Sequence, residues 1–494
     1  MEIENRISTK KRSVTKQFIL GLLVNFSSIA PSMSLGFSAI ALPFLKTTLN
    51  PSQLSWFASV ASLATPFGCF FAGPFADKYG RKKAMLFVNG VSLLGWIVIG
   101  SFCYTKSDRF WFILLGRILT GLSTGLCSSP ATVYMAEIST PELRGIFTTW
   151  SSASFSLGVL VIYILGFLFK EDLGTICFIT SILPCIGLIL TCFLVPESPS
   201  WLVGKNRIEQ AKISLSRIFD VEIESPSIFE ELTVLLGNKE TKKYIITQKR
   251  TFVQKFASKM RYLLQPRCFR PMGLILTYFM FQQFSGIFVI IFYAIDIVGN
   301  AGITFDPFAT IVVIGVVRLF SAILPSFLAK RFGRRPLSIF SGAGMTICLL
   351  PLALYIHLKQ SGTIVGGSLT FLPLVCLLFY FITSSIGFLP LPFALAAELF
   401  PSKIRGTAAG LSSGVGYFFN FVAVKVYPDM LVYLGRAGTF GFYGFMALAG
   451  TVFVIFLLPE TKGKSFREIE EYFGGKNVAQ RQEEGEERAL NELA

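Results

Sequence analysis

Gly73-Pro74-Phe75-Ala76-Asp77-Lys78-Tyr79-Gly80-Arg81-Lys82-Lys83 is a short charged turn between two long apolar runs, and the chain uses it twice. Ala329-Lys330-Arg331-Phe332-Gly333-Arg334-Arg335 stands between two further apolar runs. Other marks return in the same order, roughly 260 residues further on: Glu137 with Arg144-Gly145 as Glu398 with Arg405-Gly406, and Pro196-Glu197-Ser198 as Pro459-Glu460-Thr461. A repeat of this length inside apolar sequence reads as one ancestral half used twice.

Working outward from these turns, charged residues make up 15% of the chain, against about 25% in soluble domains. Apolar runs of about 20 residues recur from end to end, the length that crosses a bilayer as a helix. The formal charge of +16 would suit nucleic acid, but the basic residues cluster at the ends of apolar runs, where the positive-inside rule puts them. Nucleic-acid binding is therefore excluded. The nine cysteines lie mostly inside apolar runs without CxxC or metal-ligand spacing, and His357 is the only histidine, so no metal or cofactor is expected. Nothing resembles a nucleotide loop or a catalytic triad, so no enzyme activity is expected. Residues 1–17 read as a retained cytoplasmic tail, since no small-residue cleavage site follows.

Counting by apolar run and charged break gives about twelve spans, near 18–45, 54–76, 84–104, 111–136, 146–169, 174–195, 270–298, 307–329, 336–357, 367–397, 406–427 and 438–458. The fold class is an all-α membrane protein with two pseudo-symmetric six-helix bundles, residues 18–201 and 266–460. An even count puts both tails on one side. Arg6, Lys10, Lys11, Arg12, Lys16 and both charged turns share that side, which makes it cytoplasmic, whereas the opposite loops carry isolated charges such as Lys46, Lys170 and Lys359. Residues 202–265 form a polar insert with helical stripes, one of Ile208, Ala211, Leu215, Ile218 and Phe219 and another of Phe252, Phe256, Met260 and Leu263. It reads as amphipathic helices beneath the bundle, either a solvated surface or a coupler of the halves. Residues 461–494 form a cytoplasmic tail, Glu- and Arg-rich from Lys476. Asn25-Phe26-Ser27 lies within the first span, so it is no glycosylation site.

Together, Gly73…Asp77-x-x-Gly80-Arg81-Lys82, Pro196-Glu197-Ser198-Pro199-x-Trp201, Gln282-Gln283-x-Ser285-Gly286 and Pro459-Glu460-Thr461-Lys462-Gly463 resemble the sugar porter family of the major facilitator superfamily. Gly36-Phe37-Ser38…Leu42-Pro43 and Ala301-Gly302…Phe305-Asp306-Pro307 are most similar to its insect facilitated trehalose transporters. The resemblance implies alternating access at the plasma membrane, with a sugar substrate and the lipid bilayer as partners. A monomer is expected.

Asp77, Arg81, Glu137, Arg144 and Glu197 fall at the inner ends of neighbouring spans, where they can pair when those ends converge. The resemblance implies that these, with Arg334, Arg335, Glu398, Arg405 and Glu460, latch an outward-facing state; the plainer reading is that they fix topology. Lys330 stands where the first turn has Asp77, so the second latch lacks that carboxylate. The resemblance makes Gln282, Gln283 and Asn420 sugar ligands, while helix–helix hydrogen bonding is the alternative for each. Phe284, Phe393 and Tyr417 are possible aromatic walls. Relative to glucose facilitators, Ser152 replaces a Gln, Phe288 and Gly416 replace Asn, and Phe393 replaces a Trp, a pattern that suits something other than plain glucose.

Arg318 stands where the family commonly has Asn. A continuous helix at about 1.5 Å per residue would put it roughly 22 Å above Gly333, too deep to snorkel. Either it donates to substrate hydroxyls or it pairs structurally, with Asp296 as a candidate. The first span from Phe18 to Leu45 contains no acid, and Ser38 stands where proton-coupled relatives carry Asp, so Arg117 has no obvious acid to answer. The expected function is facilitative uniport of a hexose or a disaccharide such as trehalose. A proton-coupled sugar or polyol symporter and a non-transporting sugar sensor are the alternatives.

Overall fold

The computed structural model describes residues 15–105, 110–139, 141–170, 172–226, 228–229, 231–233, 235–236, 266–301, 303, 305–363, 371–400, 405–464, 468–469 and 472–473. The basic N-terminal positions 6–12, the 252–263 stripe and the tail from Lys476 lie outside these residues, as do the side chains of Arg144 and Arg405. Among the described residues the chain is helical, with no strand.

The first half begins with α1 (Thr15–Phe26) and α2 (Ile29–Leu45), one span bent by 41°. It continues with α3 (Pro51–Tyr79), α4 (Arg81–Thr105), α5 (Phe110–Leu126) with α6 (Pro130–Ile138), α7 (Pro141–Leu168) and α8 (Leu173–Leu194). In the insert, α9 (Pro199–Gly204) and α10 (Ile208–Phe219) follow. The second half runs through α11 (Pro266–Phe284), α12 (Ile287–Phe292) and α13 (Ala294–Asn300), then α14 (Pro307–Ser321) and α15 (Leu324–Phe332). It closes with α16 (Arg334–Gln360), α17 (Leu372–Ile386), α18 (Leu391–Glu398), α19 (Arg405–Tyr433) and α20 (Gly435–Leu457).

Among the described residues ten helices, some running through a short break, are long and apolar enough to span a bilayer, and the bent first span makes eleven. The eighth span is the exception. It breaks between α14 and α15, and its longer piece has 15 residues. Counted with that broken span, the expected twelve-helix architecture holds. The estimate of Arg318's height does not, because it assumed an unbroken helix.

Local chemistry explains why the charged turns fall where they do. At Gly80 φ is +104°, and a Cβ there would lie 2.1 Å from Glu197 Oε2. At Gly333 φ is +88°, and the Cβ would lie 2.6 Å from Glu460 Oε2. Only glycine fits this backbone and this approach. Each glutamate thereby reaches the first free amides of a helix, where an anion is favoured. Arg81 N and Lys82 N donate to Glu197 Oε1 at 2.8 and 3.1 Å, and Arg334 N and Arg335 N donate to Glu460 at 3.0 Å each.

The halves meet where α3 packs on α19, α7 on α14, and α2 on α12 and α13. The insert docks on the first half. Ala211 and Leu215 join Leu202, Val203, Ile228 and Leu232 in a small core, while Ile218 packs with Val24, Met85 and Tyr134. Ile208, expected on that stripe, is exposed. Ser214 takes the buried place, its hydroxyl donating to the Glu197 carbonyl.

Candidate functional site

The charged-turn end is built from two matching ion-pair modules. In the first, Arg81 donates through Nε and Nη2 to Glu137 at 3.1 and 2.9 Å, and Ser198 donates to the same carboxylate. In the second, Arg334 donates through the same two nitrogens to Glu398 at 3.2 and 2.7 Å, with Thr461 in the place of Ser198. Asp77 adds a 3.2 Å contact to Arg81. The Arg335 side chain caps the Ile455 carbonyl and pairs with no acid among the described residues. These described pairs each stay inside one half, so they brace a bundle and do not join the two.

Arg117, in α5, is fully buried, and each of its three nitrogens finds an acceptor that is not a carboxylate. Its Nη2 donates to Ser38 Oγ at 2.6 Å, its Nη1 to Ser34 O and Oγ at 3.0 and 3.1 Å, and its Nε to the Phe57 carbonyl at 3.3 Å. The rings of Phe57 and Phe37 lie 5.1 and 5.7 Å from the guanidinium carbon. Hydrogen bonds to a charged group contribute about 1.5–3 kcal/mol each. That is enough to hold a cation in the bundle on neutral acceptors.

The amides singled out in the sequence are buried in protein and do not face lipid; Gln282 and Asn420 are 0% exposed and Gln283 1%. Their hydrogen bonding separates their roles. Gln282 Nε2 donates to the Phe388 and Leu389 carbonyls, at 2.8 Å each, where the tenth span breaks between α17 and α18. Both amide hydrogens are spent on carbonyls that the break sets free. Gln282 therefore makes the helix–helix bond that was its alternative reading. Gln283 Nε2 donates to Gln282 Oε1 at 3.1 Å, which leaves Gln283 Oε1 buried with no partner. Asn420 Oδ1 accepts from Ser62 Oγ at 3.1 Å, across the interface of the halves, and its Nδ2 is unpartnered. An unmade bond at such a group costs about 1–3 kcal/mol, so these are atoms a polar ligand would satisfy.

Phe393 packs edge-on against Phe279 at 4.9 Å and lies 5.9 Å from Tyr417, so two expected walls stand together. Gly416 leaves no empty volume: a Cβ there would sit 2.7 Å from the Phe279 ring. Phe288 is buried in the core. Ser152 is exposed on α7, on the face that carries Ser156, Val159 and Tyr163 further along.

The sequence matches the Sugar (and other) transporter family over residues 13–473. The chain is a member of that family. It is 31% identical over 477 residues to the facilitated trehalose transporter Tret1 of Bombyx mori, covering 95% of this chain and 90% of the relative. To Tret1 of Polypedilum vanderplanki it is 30% identical over 481 residues, with the same coverage of each. Its fold matches the inward open conformation of the xylose transporter XylE from E. coli with a TM-score of 0.76 at 19% identity, over 92% of this chain and all of the other. XylE as a proton:xylose symporter bound to 6-bromo-6-deoxy-D-glucose gives 0.71 at 19% identity, over 93% of this chain and all of the other. This is a multi-pass membrane protein of a sugar transporter family and not an enzyme.

Arg318 is 4% exposed on α14, and its Nε and Nη1 have no partner among the described residues. Asp296, the candidate partner, instead takes Lys46 at 2.5 Å. That contact belongs to a set the sequence reading missed. At the end of the transporter opposite the charged turns, Lys46–Asp296 and Lys170–Asp306 each join one half to the other. Ser55 Oγ donates to the Lys425 carbonyl at 3.1 Å, Lys425 Nζ sits 4.3 Å from the Trp56 ring, and Tyr163 Oη donates to the Ile291 carbonyl at 2.9 Å. The signal was present as lone lysines and lone aspartates near the far ends of spans and in short loops, which stand apart until the halves are put together.

Proposed function

We propose that this chain is a facilitative sugar carrier, a uniporter that lets a hexose or a disaccharide such as trehalose equilibrate across the plasma membrane by alternating access. The observation that carries the reading is the cage around Arg117. A proton-coupled carrier needs a carboxylate that changes protonation in the pathway, and the group facing this guanidinium at 2.6 Å is the Ser38 hydroxyl. The sugar reading is supported by the names of the relatives and by the unpartnered Gln283 Oε1 and Asn420 Nδ2, an acceptor and a donor of the kind a hydroxyl-rich ligand engages. In this reading Gln283, Asn420 and Arg318 touch substrate, Gln282 positions Gln283, and Phe393 and Tyr417 form an apolar wall. Ser152 lines the path toward the charged-turn end.

That end is cytoplasmic in this reading, since basic residues gather there, and both termini share it. Closure of the far end by Lys46–Asp296 and Lys170–Asp306 is one limit of the cycle. The modules at Arg81 and Arg334 keep each half rigid while it rocks, and Arg144 and Arg405 complete the cytoplasmic latch when those ends converge. Uptake by the purified protein in proteoliposomes, with trehalose, glucose, fructose and inositol in competition, tests the reading. Saturable entry that stops at equal concentrations, with or without a pH gradient, is expected. Uphill accumulation driven by a pH jump overturns uniport.

A further inference from the structure

Among the described residues, two guanidinium groups are 4% exposed or less, Arg117 and Arg318, and they are answered differently. Arg117 has acceptors on all three nitrogens. Arg318 has none on Nε or Nη1, although both atoms are enclosed. Its neighbour Tyr163 has committed its hydroxyl proton to the Ile291 carbonyl. The aspartates nearest in sequence are also engaged: Asp296 with Lys46, and Asp306 with Lys170 and the Phe308 amide. A cation in this position without a counter-charge is costly. The same fold shows beside Ser34, Ser38 and Phe57 that neutral protein groups can saturate a guanidinium, so leaving Arg318 open is not forced by the architecture.

Among the described residues, the unpartnered buried atoms of the second half lean toward donors: Arg318 Nε and Nη1 and Asn420 Nδ2 only donate, Gln283 Oε1 only accepts, and the Ser385 and Tyr443 hydroxyls can do either. A hydroxyl offers a donor with every acceptor, whereas an ionised carboxylate or phosphate offers acceptors only and binds guanidinium with the strength of a charged pair. The donor-rich set matches the second kind of ligand. We propose that the favoured substrate is a sugar carrying an acidic group, a carboxylate or a phosphate ester, whose charge is received by Arg318 while its hydroxyls meet Gln283 and Asn420.

This rests on the reading of the chain as a sugar carrier and names the class of sugar. The test is uptake of radiolabelled glucuronate, glucose 6-phosphate, glucose and trehalose into proteoliposomes bearing the wild type, Arg318→Gln or Arg318→Lys. At least one acidic sugar should enter with kcat/KM at least about tenfold above glucose and trehalose, and the two acidic arms separate carboxylate from phosphate. An inside-positive potential should raise its accumulation without changing that of glucose. Arg318→Gln should remove the preference for the acidic sugar, and Arg318→Lys should keep part of it. The potential dependence is read on the wild type, so it decides the matter even if a variant misfolds. Neutral sugars entering as well as or better than acidic ones, with no effect of potential, would overturn the acidic class and leave sugar transport standing. Entry of none of the four would sink both readings.

Discussion

Arg117 and Arg318 are the same side chain in the two halves of one transporter, treated in opposite ways. The first is locked by Ser34, Ser38 and the Phe57 carbonyl between two aromatic rings, and the second is left with buried, unpaired donors. A saturated charge is scaffold: the chain has already supplied what the ion needs, and removing it unties the acceptors. An unsaturated charge is a standing cost that the fold alone does not require. Stability measurements on the two arginines should therefore move in different directions.

The largest effect is expected at Arg117. Arg117→Ala removes the donors that tie Ser34, Ser38 and the Phe57 carbonyl together and opens a cavity between Phe37 and Phe57, at a cost of about 3 kcal/mol or more. A much lower thermal midpoint in detergent, or no monodisperse protein, is the expected result. Arg318→Met removes a charge with no described partner and should leave the midpoint unchanged or raise it. Equal losses at both positions would erase the contrast.

The charged-turn modules give a second, smaller test of how alike the halves are. Glu137→Gln and Glu398→Gln each weaken a two-nitrogen arginine contact, at roughly 1–3 kcal/mol. The first should cost more. The Arg81 side chain is 10% exposed and that of Arg334 28%, so Arg81 has less water to fall back on. Asp77 offers Arg81 a second carboxylate, but it is 74% exposed, and an exposed pair at this helical spacing contributes only about 0.3–0.5 kcal/mol. Burial outweighs the spare acid. Denaturation of the two variants under one condition checks the order.

What could be seen in the sequence follows the same divide between local and distant chemistry. Gly80 and Gly333 announce their turns because the glycine and the charge run beside it are local signals, and the apolar runs between them set the helix count. The break between α17 and α18 carries a local hint in Gly387 and Pro390, but what makes it tolerable is Gln282, more than a hundred residues earlier in sequence, donating to Phe388 and Leu389. The cage of Arg117 is assembled from residues 60 to 83 positions away. The Lys46–Asp296 tie spans 250. Gln282, Gln283 and Asn420 could be picked out as buried amides, yet which atom of each stays unpartnered depends on neighbours that only the folded bundle brings near.

Acidification should separate the two ends of the molecule. Partial burial pushes the Glu460 carboxyl up, but the backbone amides of Lys462, Arg334, Arg335 and Thr461 more than offset it and hold its pKa below the ordinary glutamate value. A carboxyl depressed on folding contributes stability above its unfolded pKa of about 4.3, and that contribution disappears as pH falls through the lower folded value. The thermal midpoint should therefore drop as pH is lowered through and below that range. Glu460→Gln should start lower at neutral pH and lose less on acidification. Parallel pH profiles for the two proteins would remove Glu460 as the clamp on α16.

The smallest effect belongs to the ties between the halves. Asp306 is held below its usual pKa by the Lys170 ammonium first, with the amides of Phe308 and Ala309 assisting against slight desolvation. Asp306→Asn keeps a side-chain oxygen to cap α14 and removes only the charge, which isolates the tie from the helix start. Lys170 is 40% and Asp306 39% exposed, and such pairs contribute about 0–1 kcal/mol. That can shift the balance between open and closed far ends by no more than about fivefold, without a measurable change in thermal midpoint. Labelling rates of a cysteine placed on the far-end side of Tyr163 should rise by that factor in Asp306→Asn. They should rise similarly in wild type at about 1 M salt, where the Debye length falls to about 3 Å, and the variant should then be insensitive to salt. A variant that keeps the full salt response would assign the closure to Lys46–Asp296 and to the uncharged contacts at Trp56 and Ser55 instead.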